Sequence, residues 1–296
     1  MNSPTHALDA VLAVRGLSYA YPQSGLLALD QISLEVTRGE TFGLLGPSGA
    51  GKSTLQRILT RQIRHLKSGE IEFLGREIRR WNQELYKRVG VGFELPNHYL
   101  RLTGRENLQF FSKLYQSPTR NPQDLLDIVG LGDAADKRVG DYSKGMQVRL
   151  NFARAILHDP EILFLDEPTT GLDPTTSASL KKVISSLRND GKTIILTTHN
   201  MHDADELCDR VGFIANGQLK ALDTPQNLKE TYGERKVEVI MFDGRIERFD
   251  VDGMGENDAF TTFLKSGKVR SIHSQEASLD RVFQIVTGTS LNDGLV

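Results

Sequence analysis

Apolar positions follow two rhythms along this chain. Short β-like runs come first: "VLAV", "ISLEV" and "TFGLL", the last leading into a glycine-rich loop. Residues 52–66 then read as a helix, and "GEIEFLG" as a strand bounded by glycines. A helical stretch follows. Thr103-Gly104-Arg105-Glu106 fits a capping box, with Leu108, Phe111 and Leu114 spaced for one helix face behind it. "NPQDLLDIVG" predicts a short helix opened by proline and closed by Gly130. Ser143 is an N-cap for the next helix, in which Met146, Leu150, Ala153 and Leu157 recur before His158-Asp159-Pro160 ends it.

Beyond that point strand and helix alternate: "EILFLD", then "SASLKKVISSLRND" with Leu180, Val183 and Leu187 on one stripe, then "TIILTTH". Asn216-Gly217 signals a hairpin. This alternation predicts an α/β fold with a parallel sheet, interrupted by a helical insertion over about residues 96–155. "DTPQNLKETYGER" reads as a joint, dividing a domain of residues 1–222 from a small α+β unit of residues 223–296. In that unit a hairpin turns at Asp243-Gly244, residues 257–265 form a helix, "KVRSI" a strand, and residues 278–286 a last helix.

Composition narrows the function. A net charge of −2 gives no global basic field for nucleic acid. "REIRRWNQELYKR" is basic and aromatic, but it reads as a solvated amphipathic face. Cys208 is the single cysteine, expected half-buried on a helix, so no internal disulfide forms and a reducing compartment is expected. "MNSPTHALDA" has neither a basic start nor an apolar run, so no signal peptide is expected, and runs such as "ILFL" are too short to cross a bilayer.

The chemistry lies in two motifs. Gly46, Pro47, Ser48, Gly49, Ala50, Gly51, Lys52, Ser53 and Thr54 satisfy the P-loop pattern between an apolar strand and a helix. Small residues let successive N–H groups wrap phosphates, Lys52 reaches the β- and γ-phosphates, and the Ser53 hydroxyl suits Mg²⁺. An ordinary glycine-rich turn has no need of the Lys-Ser pair. "ILFLDEP" sets Asp166 and Glu167 at the end of a buried strand, Asp166 to hold Mg²⁺ and Glu167 to act as general base on water. His199 and His202 on one helix suggest a metal, but no cysteine or acidic triad accompanies them, and that reading is set aside.

With these motifs in order, the chain resembles the ATPase subunit of an ABC transporter from about Val11 to Leu222. "YSKGMQ" is similar to the family's signature, "GLDP" to its D-loop, His199 in "TTHN" to its switch histidine, and Tyr21 in "LSYAYP" to the aromatic that stacks on adenine. The resemblance implies ATP and Mg²⁺ as cofactors, and a core carrying an antiparallel β subdomain and a helical subdomain. It also implies a head-to-tail pair, in which Ser143, Gly145 and Met146 of one chain meet the γ-phosphate held by the other, with Asp173 of the D-loop at the nucleotide. Two departures stand out. Glu94 occupies the place of the family's Q-loop glutamine, where a carboxylate still serves Mg²⁺ or water, and Lys144 replaces the signature's first glycine.

"LPNHYLRLTGRENLQFFSKLY" and the ending "SLDRVFQIVTG" resemble subunits of drug, lipid and polysaccharide exporters. The expected setting is a second copy of the chain and a separate multi-span permease, with the pair cytoplasmic on the inner face of the cell membrane. The permease would dock around residues 94–114, with Arg105 as an exposed probe of that surface. The alternative is a soluble ABC ATPase of an assembly, translation or DNA-related machine. Translation types carry two ATPase domains and DNA-repair types long coiled coils, neither of which this chain has.

Overall fold

A computed structural model describes residues 10–22, 25–95, 97–233, 236–275 and 277–288. The chain divides into two compact units, one ending at Leu222 and the other beginning at Asp223. Pro96, where the insertion was expected to begin, and the "MNSPTHALD" start lie outside the described residues.

The first unit runs β1 (Ala10–Ala20), β2 (Leu27–Thr37), β3 (Thr41–Leu45), α1 (Lys52–Leu59), β4 (Ser68–Phe73), β5 (Arg76–Glu77), α2 (Leu85–Arg88) and β6 (Val89–Gly92). The helices α3 (Gly104–Ser112), α4 (Pro122–Ile128) and α5 (Lys144–Ala155) follow. Then come β7 (Ile162–Asp166), α6 (Pro174–Asn189), β8 (Thr193–Thr198), α7 (Met201–Leu207), β9 (Arg210–Ala215) and β10 (Gln218–Asp223).

Two sheets share one core. The first, ordered β2-β1-β4-β5, is antiparallel, and its β2 and β4 alternate buried with exposed positions as one-sided strands do. The second runs β10-β9-β3-β8-β7-β6, with β9 through β6 mutually parallel. Covered on both faces, β3 and β8 are buried at every position, which is why they read as unbroken apolar runs. Phe73 of β4 and Phe164 of β7 stack 6.4 Å apart between the sheets. The C-terminal ends of β3, β7 and β8 lead to Gly46, Glu167 and His199, the edge where open α/β sheets bind ligands.

Several local expectations change. Helix α1 stops at Leu59, because the Thr60 hydroxyl bonds back to the Gln56 carbonyl at 2.8 Å and Arg61 takes a left-handed φ of 58°. Ile63 and Leu66, which extended the helical rhythm, still pack on the core but from a loop. The buried stripe of α6 is Leu180, Lys181, Ile184 and Leu187; Val183 is only half-buried. Cys208 is buried at the C-cap of α7, its Sγ so near β3 that a Cβ on Gly43 would lie 2.7 Å away. Trp81 is buried too, its Nε1 donating to the Phe73 carbonyl at 2.9 Å while Arg76 covers its ring. The basic stretch is therefore a solvated rim around a core tryptophan.

The capping box on α3 forms as read: the Thr103 hydroxyl accepts from the Glu106 N–H at 3.1 Å and the Glu106 carboxylate from the Thr103 N–H at 2.8 Å. At the β9–β10 turn Asn216 (φ 50°) and Gly217 (φ 73°) are both left-handed, as a two-residue hairpin of the I′ type demands.

The second unit contains α8 (Pro225–Tyr232), β11 (Lys236–Met241), β12 (Ile246–Asp250), α9 (Asp258–Lys265), β13 (Val269–Gln275) and α10 (Leu279–Thr287). Its antiparallel sheet, ordered β12-β11-β13, buries Val237, Val239, Met241 and Phe249 against Phe260 of α9. Asn257 and Ser278 cap α9 and α10 through the N–H groups of Phe260 and Arg281.

Candidate active site

The loop after β3 is shaped to wrap an anion. Gly49 (φ 79°) and Gly51 (φ 113°) adopt backbone that side chains rarely accept, which turns the loop sharply into α1. Because α1 starts at Lys52, the N–H groups of Lys52, Ser53 and Thr54 have no earlier helical carbonyl to bond and are available to phosphate. The Lys52 ammonium folds back onto the carbonyls of Gly46 at 2.6 Å and Pro47 at 3.0 Å. Burial lowers its pKa from the ordinary lysine value, opposed by the charges of Glu167, Asp166 and Glu94. Tyr21 stands at the first turn of α1, its hydroxyl 3.1 Å from Thr54 Oγ1 and its ring edge-on to Tyr19.

The acidic turn after β7 is strained and tightly held. Burial raises the pKa of Asp166; the Thr197 hydroxyl bond opposes this, and the neighbouring Glu94 and Glu167 charges add to it. Glu167 sits at φ 50°, a left-handed backbone that costs a non-glycine residue about 1–3 kcal/mol and gathers at functional sites. Its Oε1 accepts from the His199 N–H at 3.0 Å and from His199 Nδ1 at 2.8 Å. Its Oε2 accepts from the hydroxyls of Thr198 at 3.2 Å and Thr170 at 3.0 Å. Three carboxylates, Asp166, Glu167 and Glu94, thus share the field of one ammonium. With the Ser53 hydroxyl, that hard-oxygen set suits a small dication such as Mg²⁺.

The residues that resemble the signature gather at the start of α5. Ser143 caps the helix, its Oγ accepting from the Met146 N–H at 3.2 Å. Lys144 leans over the turn that precedes α6: a Cβ on Gly171 would lie 3.4 Å from its Cε, and one on Gly145 3.3 Å from Leu172 Cδ2. Asp173 caps α6 by accepting from the Thr176 N–H at 3.0 Å, and the Thr176 bonds hold its carboxyl below the usual range. Among the described residues, no hydrogen bond or ion pair joins Ser143, Gly145, Met146 or Asp173 to the glycine loop.

Comparison with known proteins decides the assignment. Residues 29–170 match the ABC transporter family, and residues 237–276 the fluoroquinolone efflux ABC transporter C-terminal domain. The chain is 50% identical over 285 residues to the fluoroquinolones export ATP-binding protein of Mycobacterium tuberculosis, covering 95% of this chain and 94% of that protein. The chain belongs to the ATP-binding subunits of ABC transporters. A Nod factor export ATP-binding protein of Neorhizobium galegae is 33% identical, covering 98% of this chain and 87% of that protein. Among solved structures, cbiO1 of Clostridium perfringens, described as part of an ABC transporter complex, has a TM-score of 0.67 at 27% identity, covering 76% of this chain and 92% of that one. An ATP-binding cassette bound to ADP and Pi in a post-hydrolysis state shares the fold, with a TM-score of 0.65 at 24% identity, covering 72% of this chain and 98% of that one.

This ABC subunit is an ATPase, and its structure adds supporting residues that motif reading passes over. Asn151 and Arg154, one turn apart on α5, reach across to the Glu94 loop: Asn151 Nδ2 donates to the Phe93 carbonyl at 2.7 Å and Arg154 to the Asn97 carbonyl at 2.6 Å. Their signal in the sequence is two long polar side chains within a mostly buried helix. Arg105 is a poorer surface probe than expected, because it forks onto Asp136 at 2.8 and 3.1 Å and is only partly exposed. His199 precedes the N-cap of α7 and shares no helix with His202. An acidic cluster does exist at His202, Asp203 and Glu206, with ligand atoms within 4.8 Å, but the Lys181 ammonium bonds both of its carboxylates.

Proposed function

We propose that this subunit powers export through a separate multi-span permease, working as a homodimer in which each α5 start completes the ATP site of the other copy. The observation that carries the reading is the split between the two anion-binding helix starts. The loop before α1 gathers Lys52, Asp166, Glu167 and His199 within one chain, whereas Ser143 caps an exposed helix start that, among the described residues, has no link to that loop. Tyr21 takes the adenine ring, and the loop from Gly46 to Thr54 takes the phosphates. Ser53, Asp166 and Glu94 hold Mg²⁺, which supplies charge neutralisation at the phosphates. Glu167 polarises the attacking water and His199 senses the γ-phosphate. Ser143, Gly145 and Met146 act across the dimer, with Asp173 beside them.

The permease side of the reading rests on a groove of about 520 Å³ whose lining includes Tyr86, Phe93, His98, Tyr99, Phe111 and Arg154. On the same segments Leu95, Leu100 and Leu114 are more than half exposed, apolar surface available to a docking partner. Among the described residues no helix is long and apolar enough to cross a membrane, which agrees with attachment to the inner face through a partner. Residues 223–296 form an accessory domain, and the family matched by residues 237–276 supports a drug-like aromatic cargo of the fluoroquinolone kind.

The test is to tag the Glu167→Gln chain in its native host and purify it with Mg-ATP from gently solubilised membranes. A stoichiometric multi-span protein in the preparation is expected, and loss of the chain should raise fluoroquinolone susceptibility. Recovery only in the soluble fraction with ribosomal or assembly proteins would overturn the transporter reading.

A further inference from the structure

Behind the two turns that carry Glu167 and His199 lies a buried ion pair. Lys181 occupies the inner stripe of α6 between Leu180 and Ile184, its side chain 10% exposed. Its ammonium donates to Asp203 Oδ1 at 3.1 Å and also to Glu206. The Asp203 side chain, 8% exposed on α7, accepts at Oδ2 from the Thr169 hydroxyl at 2.6 Å and from the Asn200 amide at 3.2 Å. Thr169 follows Glu167 by two residues, and Asn200 directly follows His199. Asn200 in turn accepts from the N–H groups of His202 and Asp203.

One carboxylate therefore ties together the acidic turn, the histidine turn and the helix capped by Asp173. Burying two opposite charges costs several kcal/mol per ion, and apolar side chains of similar volume fill such a place at least as stably. An arrangement spent on three separate elements points to geometry as its use. We infer that Asp203, held by Lys181, is a positioning residue that sets the spacing of Glu167 and His199 and links it through α6 to the turn before Asp173. The inference rests on the reading of Glu167 and His199 as the hydrolytic pair.

Turnover and KM for ATP are measured on the full chain carrying Asp203→Asn, Lys181→Met, Lys181→Arg or Glu206→Gln, with thermal unfolding to count the folded fraction. Asp203→Asn and Lys181→Met are expected to lower kcat about tenfold with KM within about twofold, the mark of a displaced reacting geometry. Lys181→Arg should restore most of the rate. Glu206 is half-exposed and its ion pairs reach Lys181 and His202, not the Glu167 or His199 turn, so Glu206→Gln should stay within about twofold. If a single variant fails to fold, the Lys181→Met/Asp203→Asn double variant, which buries no lone charge, is measured instead and should fold with the same kcat loss. Parental kcat in folded variants, a KM rise at constant kcat, or a Glu206→Gln loss equal to that of Asp203→Asn would each overturn the inference. Glu167→Gln is run alongside: retained turnover there removes the underlying reading itself, whereas its loss with intact Asp203 variants removes only the positioning role.

Discussion

On the proposed reading, helices α1 and α5 both begin as anion sites, and the fold finishes them to different degrees. At α1 the lysine that opens the helix is buried, bonded to the carbonyls of its own loop and surrounded by carboxylates from two other segments. At α5 the opening residues Ser143 and Lys144 are exposed, and the Ser143 hydroxyl bonds only its own helix. The first start is a pocket assembled by one fold. The second has the dipole and the free N–H groups but no walls, and it sits beside the Gly171-Leu172 turn that leads to Asp173. On the proposed reading, a surface of that kind is completed by a facing chain.

The largest expected effect removes chemistry and leaves both helix starts intact. Glu167→Gln should cut turnover by roughly 10²–10⁴, the usual worth of a general base. ATP binding, followed with a fluorescent nucleotide, should persist, and light scattering should find the nucleotide-bound form as a dimer. Turnover near the parental rate would place the base elsewhere.

The contrast between α1 and α5 can be broken by mixing. Lys52→Met disables the finished start and Ser143→Arg the open one, so each chain alone should be inactive. In an equal mixture half the dimers pair one of each, and every mixed dimer keeps one intact site, so about a quarter of parental turnover should return. No recovery would mean that α5 serves its own chain.

How much of this was legible beforehand divides along the same line. Glycine spacing, the Asp166-Glu167 pair and the cap residues Thr103 and Ser143 act locally, and each appears where the sequence puts it. The parallel core was implied by the alternation of strand and helix, but the order of its strands was not. Contacts between distant segments were not legible: nothing near Asn151 announces the Phe93 carbonyl, and nothing near Lys181 announces Asp203, since only folding brings those positions together. Helix length failed for a related reason, because Ile63 and Leu66 keep helical spacing while packing from a loop. Lys181 also shows the limit of apolar patterning, a buried lysine on the stripe where Val183 was expected.

A smaller effect lies in the groove. His98 Nε2 bonds the Gln147 carbonyl at 2.9 Å, and burial lowers its pKa from 6.5 to about 4. The folded chain therefore refuses a proton that the unfolded chain accepts, so stability falls as pH drops from about 6.5 toward 4. Near pH 5 this amounts to on the order of 1–2 kcal/mol. Denaturant titrations at pH 7 and 5 should find that acid loss reduced in His98→Gln. An unchanged loss would assign it to other groups.

The smallest shift returns to the finished site and tests what finishing it cost. Asp166 is a buried carboxylate beside Glu167 and Glu94, and its pKa is raised, so the folded chain holds its proton more tightly than the unfolded chain does. The sign follows: stability falls as pH climbs above the ordinary carboxylate range, and at neutral pH the ionised group works against the nucleotide-free fold. Asp166→Asn keeps an acceptor for the Thr197 hydroxyl and removes the charge. Without nucleotide the variant should melt slightly above the parent. With Mg-ATP at about a hundred times its Kd the parent should gain roughly 2.7 kcal/mol, and the variant much less at the same concentration. A nucleotide-free variant no more stable than the parent would mean that the carboxylates are already balanced by Lys52, and that the site at α1 is finished without stored repulsion.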